Sequence, residues 1–209
     1  MRLALIFFAL CNWFTAYNQT QTLDSLKTIF PLIQDVPIEL ETAIYFSISH
    51  YPELQNNPIR FKHARIKTTF NARPTVGSLL FKRKENRHYI VRINSSINDS
   101  IICFYKIPEF AKKGVIGHEF AHFADYETRN LWQVLGRAFS YLSKKRKADF
   151  EKSIDTETIK RGLGNELYAW CNYVLYESNA TVDYKSFKRR TYLTPEEIQA
   201  VLLTSTTPK

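Results

Sequence analysis

His118-Glu119-Phe120-Ala121-His122 places two imidazoles and a carboxylate within one pentad. In an α-helix, residues four apart stand one above the other, so both rings can reach a single ion while Glu119 points into the same space. The chemistry implied is that of a divalent metal with a carboxylate beside it, placed to take a proton from a bound water. Two histidines on an amphipathic helix can also be ordinary hydrogen-bonded or solvent-facing residues, so the surroundings must decide. Ile107, Phe110, Val115, Ile116, Phe120 and Phe123 supply an apolar face running through the pentad, and Pro108 suits a first helical turn. A buried helix carrying two histidines must provide partners for them.

A catalytic zinc ion takes three protein ligands and leaves its fourth position to water. The metzincin extension of the pentad requires Gly at 125 and His at 128, whereas the chain has Asp125 and Thr128. His50, His63 and His88 all lie upstream, which leaves a downstream carboxylate as the natural third ligand. Glu151 and Asp155 are four apart in a stretch that reads as helix, so both would face the same way. Glu151 would bind the ion while Asp155 accepts the second ring N–H of a ligating histidine. Asp155, Glu157 and Glu166 stand as rival ligands. Asp125, three after His122, would either orient a ligand or simply close the helix with Tyr126.

The H-E-x-x-H pentad followed by Glu151-x-x-x-Asp155 resembles the zincin metallopeptidases, and among them the gluzincin, thermolysin-type class, in the manner of a small bacterial zinc peptidase. The spacing from His122 to Glu151 is wider than in thermolysin and is similar to that of the integral-membrane CAAX proteases, whose multiple spanning helices this chain lacks. The resemblance covers only the two motif-bearing helices. It implies one catalytic Zn²⁺ on His118, His122 and Glu151, Glu119 as general base, and hydrolysis of internal peptide bonds in a peptide or protein substrate. It also implies a Tyr or His that stabilises the oxyanion, for which Tyr126, Tyr168 and His88 are candidates, and an edge strand that pairs with an extended substrate, for which His88–Ile93 is the candidate. Two rival readings are a non-catalytic zinc-stabilised domain, which would have no use for Glu119, and an envelope-associated binding protein in which the pentad is accidental.

At 209 residues, 44% of them apolar, the chain is long enough for one well-packed domain and short for two. Met1-Arg2 and the apolar run to Leu10 read as a signal peptide or N-terminal anchor over residues 1–16, leaving a single domain over 22–209 and an extracytoplasmic location. Removal of that leader takes Cys11 and leaves Cys103 and Cys171, either as one disulfide or as two thiols. The formal charge of +9 is distributed. Its tightest run, Lys144-Lys145-Arg146-Lys147, reads as a solvated loop between helices, and no nucleic-acid module accompanies it. Association with a membrane surface remains an expectation of the basic balance.

The elements that must position the pentad read as an α+β fold, mainly helical, with a small mixed or antiparallel sheet preceding the pentad helix. Helical spacing runs over 22–30, 39–51, 131–142, 148–163 and 165–176, with Trp132, Phe139, Trp170 and Tyr173 expected in the core. Strand patterns run over 59–69, 79–82, 88–93 and 101–105; the second and third read as a hairpin, and Arg73-Pro74 with Gly77 as a turn. Thr194-Pro195-Glu196-Glu197 has the pattern of a capped helix start.

Overall fold

The computed structural model describes residues 23–95 and 102–205. The expected leader over 1–16, with Cys11, lies outside these residues, as does Ile101. Helix α1 (23–29) leads to β1 (Ile33–Gln34), α2 (Glu41–Ile48), β2 (Ile59–Ala64), β3 (Phe70–Pro74), α3 (Val76–Phe81) and β4 (Tyr89–Asn94). Then come α4 (Glu109–Glu127), α5 (Leu131–Ser140), α6 (Lys144–Thr158), α7 (Gly164–Asn172), α8 (Val182–Thr191) and α9 (Pro195–Ser205). The fold is α+β, with a small mixed sheet ahead of the pentad helix α4.

The strand order is β1-β2-β4-β3, with β1, β2 and β4 mutually parallel and β3 antiparallel to β4. β4 is therefore an inner strand with both edges paired, and the free edge beside the helices belongs to β3. The expected hairpin is not formed, because 79–82 belongs to α3 and its end. A four-residue apolar run has no periodicity of its own, and here a long-range contact decides: the Ser78 hydroxyl donates to the His88 carbonyl and accepts from the His88 N–H, fastening α3 to the start of β4. Arg73-Pro74 ends β3 instead of making a turn. Thr75 N–H donates to His88 O and Asn94 N–H to Thr69 O, so odd-numbered residues of β3 face β4. Pro74, which has no N–H to donate, faces the free edge where none is needed.

Helix α4 is the centre of the core. Val115, Ile116, Phe120, Ala121 and Phe123 are buried, whereas Phe110 is exposed. Tyr89 of β4 stacks on Phe123 with ring centroids 4.3 Å apart, and the Tyr51 hydroxyl donates to Gly117 O at 2.8 Å. On another side α7 comes so close that a Cβ at Gly114 would lie 2.1 Å from the Glu166 carbonyl oxygen. The junction Ile159–Leu163 between α6 and α7 bends at Gly162, whose φ of 85° suits a residue without Cβ.

Other expectations need correction. Lys144–Lys147 is the first turn of α6 and not a loop, although four cations oppose the positive end of that helix's dipole. Trp132 and Phe139 are exposed; Trp170 is buried, and Tyr173 packs against the core. Ile102 and Cys103 are not in a strand, and Phe104–Lys106 is a single tight helical turn. Cys103 and Cys171 are free, half-buried thiols. The capping motif of α9 forms as read, with Thr194 and Glu197 bonding reciprocally. Among the described residues no helix is long and apolar enough to cross a membrane.

Candidate metal centre

Helices α4 and α6 bring His118, His122 and Glu151 together, all three buried. The convergence is atom-specific. Glu151 Oε2 lies 3.2 Å from His118 Nε2 and 3.4 Å from His122 Nε2. Ligands about 2.0–2.1 Å from a tetrahedral metal stand about 3.3–3.4 Å apart; the two Glu151 separations match this, and all three ligand atoms lie within 4.8 Å of one another, close enough to share one ion. Glu151 Oε2 is also a buried oxygen with no hydrogen-bond partner. A buried carboxylate oxygen needs a cation to answer it, which is the protonated His118 ring in the metal-free protein or an ion held between the three side chains. The donor set, two imidazoles and a carboxylate, suits a borderline metal such as zinc.

The supporting contacts fix orientation. Asp155 Oδ1 accepts from His118 Nδ1 at 2.7 Å, and its Oδ2 accepts the Leu193 N–H at 2.8 Å, so the carboxylate is pinned from both sides and holds the ring with Nε2 towards Glu151. Tyr141 donates to Glu151 Oε1 at 2.9 Å, leaving Oε2 for the centre. His122 is set by packing, edge-on to Phe150 and stacked against Tyr126. Its Nδ1 has no hydrogen-bond partner.

Charge follows from this geometry. Burial lowers the His118 pKa, but the Asp155 and Glu151 carboxylates outweigh it and raise the value to about 10 in the metal-free protein. Burial pushes the Glu151 carboxyl up, and the two imidazoles overcome this and hold it well below the usual carboxylate range. Glu119 is raised, chiefly by burial, against the pull of His122 and His118.

Glu119, His122 and Glu151 line a cavity of about 280 Å³ together with Phe70, Asn71 and Ala72 of β3, and Arg92, Tyr141, Lys147 and Tyr192. A deeper, mostly apolar pocket adjoins His118 and Glu119, walled by Val115, Leu167, Trp170 and Tyr192 among others. Sequence reasoning missed Tyr141, Tyr192 and Lys147. Lys147 carried a signal, since it precedes Glu151 by one helical turn; the two tyrosines, among twelve in the chain, carried none.

The remaining expected residues fall elsewhere. Asp125 pairs with Arg129 and Arg137 at 2.9 and 2.8 Å, tying α5 to α4. Glu157 pairs with Arg161, and Glu166 lies outside the ligand cluster. His88 sits beside Lys82 at the rim of a different cavity. Tyr126 stacks on His122, and Tyr168 packs against the core. Comparison with protein-family models, curated proteins and solved structures finds no match for this chain.

Proposed function

We propose that this protein is a zincin-type peptidase, hydrolysing peptide bonds with one Zn²⁺ held by His118, His122 and Glu151. The observation that carries the reading is Glu151 Oε2, a buried oxygen without a donor, aimed at two imidazole Nε2 atoms with Glu119 in the same cavity. A metal so held supplies Lewis acidity, polarising a carbonyl and acidifying water. Glu119 takes the proton and returns it to the leaving amine. Its raised pKa suits a group that both accepts and releases a proton. Asp155 keeps His118 in the tautomer that leaves Nε2 free, and Tyr141 keeps Glu151 from turning. Tyr192, which lines both pockets beside Glu119, is placed to donate to a developing oxyanion.

The substrate strand in this reading adds to β3, not to β4 as the sequence suggested. Ala72 faces the free edge, so its N–H and C=O are directed away from β4 on the side of the cavity. An extended peptide can pair there and carry its scissile carbonyl past Glu119. Action outside the cytoplasm, with residues 1–16 as signal or anchor, belongs to the same proposal.

The test is metal content together with cleavage of a mixed peptide library, for the parent and for Glu119→Gln. The proposal expects stoichiometric zinc in both proteins and cleavage by the parent alone. Cleavage undiminished in Glu119→Gln would remove the general base. A parent that binds zinc but cleaves nothing would be a metal-stabilised domain, and one without metal would be a binding protein with an accidental pentad.

A further inference from the structure

Helix α5 buries only Val134 fully and turns its aromatic residues to solvent. Its one charged residue, Arg137, points inward and grips Asp125 with contacts of 2.8 and 3.0 Å, beside the buried Val134. Trp132 and Phe139, seven apart, share the outer side with the half-buried Leu135 at its border, and Leu142 follows in the turn after the helix. Trp132 is 78% exposed, Phe139 62% and Leu142 82%. An aromatic stripe facing water at this density marks a surface that something covers.

The charge around it identifies the covering. From Thr128 to Ala148 the chain contains no Asp or Glu, but it contains Arg129, Arg137, Lys144, Lys145, Arg146 and Lys147. Arg129 and Arg137 are paired with Asp125. Lys144, Lys145 and Arg146 are exposed and form no ion pair among the described residues. They crowd the first turn of α6, where the helix dipole already disfavours cations, so local stability does not account for them. At ten residues, α5 is about 15 Å long, enough to lie in a membrane interface and too short to span one.

We propose that α5 and the first turn of α6 form a docking surface for an anionic lipid membrane. Trp132, Phe139 and Leu142 enter the boundary between headgroups and acyl chains, while Lys144, Lys145 and Arg146 meet the lipid phosphates. A second copy of the chain would cover the apolar stripe but would bring its own cations against these. Docking would also set the metal centre close to the bilayer surface, since Tyr141 lies between Phe139 and Leu142 and bonds Glu151. The proposal does not depend on peptide hydrolysis.

Full-length protein can be sedimented with vesicles of mixed phosphatidylglycerol and phosphatidylcholine, and with phosphatidylcholine vesicles alone. The parent should prefer the anionic vesicles. Trp132→Ser combined with Phe139→Ser should weaken that binding by roughly tenfold or more, and Lys144→Ser combined with Lys145→Ser by roughly fivefold per residue. Because these side chains are exposed, all variants should keep the parental thermal midpoint and metal content. Equal binding by the parent and the Trp132→Ser/Phe139→Ser protein places membrane affinity elsewhere, residues 1–16 included, and overturns the proposal. Equal binding to neutral and anionic vesicles does the same. A parent dimer that becomes a monomer in the Trp132→Ser/Phe139→Ser protein assigns the stripe to a second copy instead.

Discussion

Replacing Asp155 by Asn keeps the side chain's shape and removes one acceptor from a carboxylate that answers two donors, His118 Nδ1 at 2.7 Å and the Leu193 N–H at 2.8 Å. An amide offers one acceptor oxygen on one side and an NH₂, with only donors, on the other. With its oxygen towards Leu193, its NH₂ faces His118 and needs a bare Nδ1, which sends the imidazole proton to Nε2, the atom that must be bare to hold a metal. Losing such support costs about 10–100-fold in metal affinity, or about 1.4–2.7 kcal/mol. With the amide reversed, two donors meet in a buried site, and the unmade bond costs about 1–3 kcal/mol of folding stability. Asp155→Asn therefore loses metal affinity, stability, or part of each. Competition of metal-stripped protein against a chromophoric zinc chelator measures the first, and thermal unfolding with and without metal measures the second. Parental affinity together with a parental midpoint would refute the role of Asp155 as the anchor of His118.

Metal-free protein should lose stability as pH rises. The His118 pKa is raised from 6.5 to about 10, so its contribution is fully present below the lower value and lost through the higher one. A thermal midpoint in chelator that stays flat over that interval would contradict the charged pair. Gly114→Ala puts a Cβ 2.1 Å from Glu166 O and must part α4 from α7, costing about 1–3 kcal/mol or more in urea unfolding. An unchanged midpoint would show that the helices yield freely. Tyr141→Phe removes the 2.9 Å bond to Glu151 Oε1 and should weaken metal binding by up to about tenfold, read by the same chelator competition. Unchanged affinity would remove Tyr141 from the support of Glu151.

The parts of the site legible in the sequence are those joined by helical spacing. His118 and His122 share a face by their separation of four, as do Glu151 and Asp155, so the two halves could be read before their meeting was seen. What was illegible depends on contacts between distant segments. Leu193 reaches Asp155 through a backbone N–H that any residue could supply. Tyr141 and Tyr192 arrive from α5's end and the α8–α9 link, with nothing local to single them out. In the sheet, helix α3 was hidden because Ser78 gains its partner only when β4 lies beside it, and Pro74 looked like a turn because its harmless edge position is a matter of register. The outward face of α5 misled in a different way: Trp132 and Phe139 follow a core pattern while facing water.

The double grip on Asp155 also has a consequence in time. His118 is synthesised 37 residues before Asp155, and Asp155 a further 38 before Leu193. While the chain is being made, the pentad therefore exists with no third ligand, and later with a third ligand but no anchor for His118. Two histidines on an unpacked helix make a weak and unselective site, because divalent metals compete for imidazole in an order the protein does not set. In the proposed reading, metal capture in the final geometry would wait until α4, α6 and the segment after α8 have packed. Under the proposed function, the ion taken up would then be decided by the metal supply where folding finishes, and not by the supply where the chain is made.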